Sequence, residues 1–402
     1  MAPGRHAAAE VFLAFLRLGL TSFGGPAAHL GYFRTEFVFR RRWLSEEDYA
    51  GLVALCQFLP GPASSQLGFA LGLRRGGWWG GLAAWAGFTL PSAMLLVLFA
   101  AWAVPLSGSV PGAGLLHGLK LVAVAIVVQA VWGMAGGLCP DRPRAAIAFA
   151  ALALALLAPA EIGQVSAMLL GAGAGLLWCR GALPDRSADR SSEDGGLHWV
   201  PLGRRGGAVC LLLFAALLVL PPLLGPELAV FDAFYRAGAL VFGGGHVVLP
   251  LLQDAVTTPG WVTEDAFLAG YGAAQAVPGP LFTFAAYLGA VIPPGGVAGA
   301  VLPLLAVFLP GMLILLGTLP FWVVLRRHPR AAAAVMGVNA AVVGVLGAAL
   351  YDPVFVSAVR QPQDLVLAVG LTLALLRWRM SSLTVVGLGA TAGLVVALAT
   401  QA

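Results

Sequence analysis

The motif Pro-Gly-Pro stands twice inside apolar sequence, in "QFLPGPASSQ" (Gln57 to Gln66) and in "QAVPGPLFTF" (Gln275 to Phe284). A helix that begins just past such a breaker presents unpaired N–H groups and the positive end of its dipole. Proline suits that first turn, where its missing N–H is not needed. Ser64, Ser65 and Gln66 follow the first motif and Thr283 follows the second, adding hydroxyl and amide donors. Pro60, Gly61 and Pro62, with Pro278, Gly279 and Pro280, are therefore candidates for an anion-binding site built from helix starts. Gln57 and Gln275 either line that site or bond carbonyls freed by the break. The rival reading is that each motif only turns a hairpin.

Other residues point to the same chemistry. Gly24-Gly25 and Gly243-Gly244 are two further breakers, each a few residues past an arginine, Arg17 or Arg236, set within apolar chain. Lys120, the only lysine, stands early in an apolar run, and Asn339 holds the matching place later in the chain. A cation at membrane depth costs at least about 2.5–3.5 kcal/mol on insertion scales, so each needs a partner or a function. For the arginines the structural rival is pairing with Glu10, Glu36 or Asp232; for Lys120 it is reaching toward the membrane boundary. His29 and His246 each follow a glycine-rich breaker and are candidates to carry protons. The six histidines and four cysteines have no metal-ligand spacing, so neither a metal nor a cofactor is expected.

The elements that must hold these residues are set by composition. Of 402 residues, 59% are hydrophobic and 10% charged, and the mean hydropathy is +0.89. A soluble domain carries roughly 25% charged residues, so this chain is expected to be an all-α polytopic membrane protein. The net charge of +5 gives no nucleic-acid argument, because the arginines gather at apparent membrane boundaries. Arg17 also interrupts the first apolar run, so no cleaved leader is expected there.

The chain reads as two related halves. "FLRLGLTSFGGP" at Phe15 matches "FYRAGALVFGGG" at Phe234, and "WLSEED" at Trp43 matches "WVTEDA" at Trp261. The two Pro-Gly-Pro motifs match, as do "GLKLVAVAIV" from Gly118 and "GVNAAVVGVL" from Gly337. Every landmark recurs 218 or 219 residues on, which marks an internal duplication. The expected organisation is a first repeat over 1–180, a cytoplasmic polar linker over 181–205 and a second repeat over 206–402. An unmatched span at about 206–225 opens the second repeat. Basic boundaries at 40–42, 74–75, 140–144, 204–205, 326–330 and 377–380 are cytoplasmic by the positive-inside rule, which makes the duplication an inverted repeat. Segments at about 10–23, 27–41, 46–59 and 63–74 are roughly 18–22 Å long at 1.5 Å per residue, too short for a roughly 30 Å core. They are expected to form re-entrant half-helix hairpins around a midplane anion site, with tilted full spans as the alternative.

The ordered set "FLRLGLTSFGGP", "QFLPGP" and "GLKLVAVAIV", with its second-half copies "FYRAGALVFGGGH", "QAVPGP" and "GVNAAVVGVL", resembles the chromate ion transporter family in its long two-domain form. The resemblance covers nearly the whole chain apart from the linker and the extra span. It implies export of chromate across the bacterial inner (plasma) membrane and hence chromate resistance, with sulfate as the look-alike oxyanion. Half two departs by carrying Gly245 in place of Pro26 and Asn339 in place of Lys120, so equal roles for the two copies are in doubt.

The expected activity is thus secondary transport of a tetrahedral dianion, not an enzyme reaction. The rivals are a proton-coupled permease for sulfate or another oxyanion and an intramembrane enzyme acting on lipid phosphate. Expected partners are a chromate or sulfate anion and the lipid bilayer, with a second copy of the chain as a further candidate and no nucleic acid.

Overall fold

The structure is a computed structural model that describes residues 5–23, 25–107, 109–158, 160–179, 202–242, 247–322 and 328–399. Gly24, Gly243, Gly244, His246 and most of the expected linker lie outside the described residues. Among the described residues every regular element is helical and none is a strand. Five helices are long and apolar enough to cross a membrane, and the chain is a multi-pass membrane protein.

Half one runs α1 (Arg5–Thr21), α2 (Gly25–Phe33, continuing as a π-helical stretch Arg34–Arg40), α3 (Glu46–Phe58), α4 (Ala63–Ser107), α5 (Val110–Leu138), α6 (Arg142–Leu157) and α7 (Ala160–Trp178). After α8 (Arg204–Val219) and the short α9 (Pro221–Leu224), half two runs α10 (Ala229–Ala239), α11 (Val248–Thr257), α12 (Glu264–Ala274) and α13 (Phe284–Val291). It ends with α14 (Gly296–Thr318), α15 (Pro329–Ala349), α16 (Pro362–Leu376) and α17 (Ser382–Ala399). At the sequence separation of 218–219, α10 to α17 repeat α1 to α7, with α13 and α14 matching the two limbs of α4. The extra span expected over 206–225 stops at Val219, because Pro221 and Pro222 break it.

Local chemistry accounts for the element ends. Ser45 caps α3 by accepting from the Asp48 amide at 3.1 Å, and Glu46, Glu47 and Asp48 fill its first turn. Thr263 does the same for α12, with Glu264 and Asp265 following. Pro60 ends α3 by forcing Leu59 to extended geometry (ψ 150°). Inside α4 the chain reverses at Gly76 and Gly77, whose φ of +62° only glycine adopts freely. The limbs 63–75 and 78–107 then run back against each other, with Gly72 opposite Gly80 and Ala84. Gly289 meets Gly299 and Ala300 in the same way where α13 turns into α14.

The halves interlock. α5 lies against α16 and α17 of the other half, while α15 lies against α6 and α7. Small residues allow both crossings: Gly114 and Gly118 face Gly389 and Gly393, and Gly337 faces Gly171 and Gly175. A Cβ at Gly337 would collide with the Gly171 carbonyl and stand 2.6 Å from the Gly175 Cα, so neither backbone could stay in place. Gly337→Leu is therefore expected to cost about 3 kcal/mol or more, at the upper end of overpacking effects. Loss of the monodisperse peak in detergent gel filtration would report it.

Candidate functional site

The breakers of the two halves meet one another. The Gly61 amide donates to the Val241 carbonyl at 2.7 Å, and the Gly279 amide donates to the Ser22 carbonyl at 2.9 Å. Ser22 and Val241 are equivalent repeat positions, each just ahead of a Phe-Gly-Gly segment, so one junction is the image of the other. Each Pro-Gly-Pro also abuts the opposite half's long helix. A Cβ at Gly61 would stand 3.0 Å from the Gly311 Cα, and one at Gly279 would stand 3.0 Å from Ser92 Oγ. Gly311 and Ser92 are again equivalent, each following a Leu-Pro pair. The amides of Gly61 and Gly279 are thus committed to cross-half bonds. The helix-start amides left for a ligand are those past Pro62, which accepts from Gln66 N at 2.9 Å as the cap of α4, namely Ala63, Ser64 and Ser65.

A set of buried polar side chains surrounds this junction. Ser22, His29, Ser64, Ser65, Gln66, Thr89, Ser92 and Thr283 are all buried. His29 Nδ1 lies 3.4 Å from Ser64 Oγ, its ring stands edge-on to Phe88 at 5.1 Å, and the Ser22 backbone is close by. Gln66 Nε2 donates to both the Pro60 and the Gly311 carbonyls at 2.9 Å, tying the motif to α14. Ser92 donates to the Thr89 carbonyl at 3.0 Å and Thr283 to the Pro280 carbonyl at 2.8 Å. Ser22 Oγ, His29 Nε2, Ser65 Oγ, Gln66 Oε1 and Thr89 Oγ1 have no hydrogen-bond partner among the described residues. Leaving such groups bare costs about 1–3 kcal/mol each, so a water or another polar group that met them would be stabilised there. Four of the five can donate; Gln66 Oε1 accepts and suits a water or a protonated oxygen.

The cations lie elsewhere. Arg236 holds both Asp232 oxygens (2.7 and 2.8 Å) and the Leu218 carbonyl at the end of α8 (2.7 Å). These contacts anchor it: Arg236→Ala is expected to cost about 1.5–3 kcal/mol, as for hydrogen bonds to a charged group. Thermal unfolding in detergent would show that loss, with flux per folded molecule retained. Arg17, its counterpart, is exposed beside Leu13 and Leu20, has no ion-pair partner among the described residues, and stands just over one turn from Ser22. α8 covers the matching strip in half two. Lys120 is buried, with Nζ 2.7 Å from Asp265 Oδ1, and Arg360 reaches the same oxygen at 3.2 Å. His117 Nε2 meets Asp364 Oδ1 at 2.8 Å beside them. Asp265 begins α12 and Gln275 ends it, so this charged group sits about 15 Å along the helix from the junction. Gln57 is exposed, Gln275 is half-buried with Nε2 unpartnered, and Asn339 is half-buried with Oδ1 unpartnered. Gly25 turns at φ +76°.

Residues 9–177 and 228–394 each match the family described as chromate transporter. The chain belongs to that family. As a transporter of this kind it is 32% identical over 372 residues to the chromate transport protein of Pseudomonas aeruginosa, covering 90% of this chain and 84% of that one. It is 28% identical over 390 residues to the chromate transport protein of Cupriavidus metallidurans, covering 96% and 92%. A probable chromate transport protein of Synechococcus elongatus is 28% identical over 346 residues, covering 84% and 82%. No solved structure matches the transporter. The two matched regions leave out 178–227, where the polar segment and α8 lie.

Sequence reasoning missed Ser22, Thr89 and Ser92 at the junction and the Asp265 partner of Lys120. One signal was available. "TLPSA" from Thr89 and "FLPGM" from Phe308 share a Leu-Pro at the 219-residue separation, which marks both positions as part of the repeated machinery.

Proposed function

We propose that the protein is a secondary transporter that exports chromate across the bacterial inner membrane, and so confers chromate resistance, by holding the anion where the two Pro-Gly-Pro motifs meet the opposite half. The observation that carries this reading is the buried junction itself. Two equivalent cross-half hydrogen bonds tie the breakers together, and Ser22, His29, Ser65 and Thr89 around them leave donors unpartnered. A tetrahedral oxyanion offers acceptors on every side, and helix-start amides beside hydroxyls meet them without a full counter-charge. The substrate contacts assigned here are Ser64, Ser65 and the amides that follow Pro62, joined by Ser22, His29 and Thr89; Gly25 and Thr283 belong to the surrounding shell.

An inverted repeat of re-entrant hairpins is the architecture that goes with this site. Ion pairs support it by gathering the limb ends of half one on one side: Glu10 with Arg41 (3.7 Å) and Arg75 (2.9 Å), Asp48 with Arg74 (2.8 Å), and Arg34 with Glu46 (2.6 Å). The group of His117, Lys120, Asp265, Arg360 and Asp364 gathers loops that the positive-inside rule assigns to the other side. Cysteines at Thr35 and Thr257 are then expected to react with an impermeant thiol reagent from opposite faces, and reaction from one face would remove the inverted repeat.

Export follows from the charge of the substrate. A dianion leaving an inside-negative cell gains about 4.6 kcal/mol per 100 mV, at about 2.3 per charge. The side opposite the arginines adds to this, because it opens in a cavity of about 330 Å³ lined by Asp254, Glu264 and Asp352, with no Lys or Arg among its lining residues. An anion released there is discouraged from re-entering. The second reading, a proton-coupled permease for sulfate, is favoured by one observation, the unpartnered Nε2 of buried His29. Flux of radiolabelled chromate into proteoliposomes, with potential and pH gradient imposed separately and excess sulfate in parallel, separates the two. Potential-driven flux that sulfate does not suppress is the expected result. Flux that follows only the proton gradient, or that sulfate outcompetes, makes the protein the permease.

A further inference from the structure

Equivalent elements of the two halves do not sit alike. In half two, α12 lies along α5, with Gly272 so close to the Leu119 carbonyl that no Cβ would fit. Residues 267–274 of α12 are all buried, as are 248–253 of α11, which packs on α15 and α7. The Lys120–Asp265 ion pair and the Arg360 contact close the outer end of this seam. In half one, α3 has no comparable packing on α15, nor α2 on α5 or α17. α3 leaves Ala50, Ala54 and Gln57 exposed one turn apart, and the α2 segment leaves Gly31, Tyr32 and Thr35 exposed. A Cβ at Gly31 or Gly51 would meet nothing within 4 Å.

These open surfaces differ from the lipid-facing ones. The long limb of α4 exposes Trp78, Trp79, Met94, Leu98 and Trp102, large apolar groups suited to acyl chains. The faces of α2 and α3 carry mostly small or polar residues, as the wall of a water-filled passage would. The repeat supplies the missing contact. Ala54 corresponds to Gly272 and Val338 to Leu119, so the seam closed in half two is the one left open in half one.

We propose that the structure is the state open toward the arginine-rich side and closed toward the other beneath the acidic cavity lined by Asp254, Glu264 and Asp352, which lies outside the gate as a vestibule, and that Lys120 and Asp265 are gate residues, not anion ligands. Transport then exchanges the seams: α12 parts from α5, breaking the Lys120–Asp265 pair, as α3 closes on α15. The exchange is biased. In place of Lys120 and Asp265 the other seam carries Asn339 and Glu47, which make no ion pair among the described residues, so the resting protein stands open on the side from which an exporter loads. The inference rests on the transporter reading above, and its test reads conformation, not flux alone.

The experiment uses the full chain with Cys56, Cys139, Cys179 and Cys210 replaced by alanine, in sealed vesicles of both orientations. Ala54→Cys should react with an impermeant maleimide from the arginine-rich face. Asp265→Asn should slow that reaction at least about threefold by releasing the far seam, and Asp265→Glu, which keeps the charge facing Lys120 and Arg360, should hold the rate near that of Ala54→Cys alone. A purely structural role for the pair would change yield without moving the labelling rate. In a second variant that leaves the pair intact, Ala54→Cys with Val338→Cys should form a disulfide under an added thiol oxidant only as α3 closes. That disulfide should stop flux until reduced, and Asp265→Asn should speed its formation. Labelling of Ala54→Cys that ignores Asp265→Asn, or flux that continues with the disulfide formed, overturns the proposal. Labelling that responds as expected in a protein that moves sulfate and not chromate would sink the substrate reading and leave the gate standing.

Discussion

Gly279→Val is expected to reduce chromate flux to less than a tenth of wild type while the protein still reaches the membrane. Gly279 sits at φ +99°, and a Cβ there would press on Ser92 Oγ at 3.0 Å and on the Phe88 carbonyl at 3.1 Å. A β-branched residue in that conformation costs about 1–3 kcal/mol of strain, and overpacking adds a similar amount. The loss falls on the bond from the Gly279 amide to Ser22, which joins the halves at the proposed site. Gly61→Val should act alike, since Gly61 has φ +116° and a Cβ there would stand 3.0 Å from the Gly311 Cα. Gly173→Val is the control: nothing lies within 4 Å of that position, and both yield and flux should stay near wild type. Flux in proteoliposomes, normalised to folded protein, checks all three. Wild-type flux from both Gly279→Val and Gly61→Val would mean that the junctions do not form the path.

The second large effect has opposite signs in stability and in binding. Thr89 Oγ1 and Ser65 Oγ are buried without hydrogen-bond partners among the described residues, a desolvation cost wherever no polar group meets them. Thr89→Val keeps the shape and removes the bare hydroxyl, which should raise thermal stability by about 1–3 kcal/mol without anion. Ser65→Ala should do likewise on a smaller scale. If those hydroxyls serve the anion, each substitution should weaken chromate binding about tenfold, which is about 1.4 kcal/mol. A residue that serves only the fold would instead lose stability when changed. Thermal unfolding with and without chromate measures both signs in one experiment.

The breakers were legible because proline and glycine act on the backbone where they stand. The α3 limb was expected over 46–59 and forms over Glu46–Phe58, and the next limb was expected over 63–74 and reverses at Gly76. Scattered glycines were legible only as a class: Gly171 and Gly175 take the backbone of α15, while a side chain at Gly173 on the same helix would meet nothing within 4 Å. Lys120 could not be read alone, because its partner Asp265 lies 145 residues away and arrives only when α12 docks on α5. Arg236 was readable, since Asp232 stands one turn earlier on the same helix. Thr89 and Ser92 escaped notice because a hydroxyl in a transmembrane helix usually satisfies itself on its own backbone, as Thr372 does on Ala368. What sets Thr89 apart is a packing environment that no local pattern records.

The central claim is that the anion is held at the junction of the breakers, away from the buried lysine. Equilibrium binding of radiolabelled chromate to the purified protein, comparing Thr89→Val with Lys120→Gln, tests it most directly. The account predicts one site per chain, weakened about tenfold by Thr89→Val and bound as tightly as in wild type once Lys120→Gln molecules are counted as folded. Binding that survives Thr89→Val unchanged and disappears with Lys120→Gln would place the anion at the charged group beside Asp265 and contradict the account.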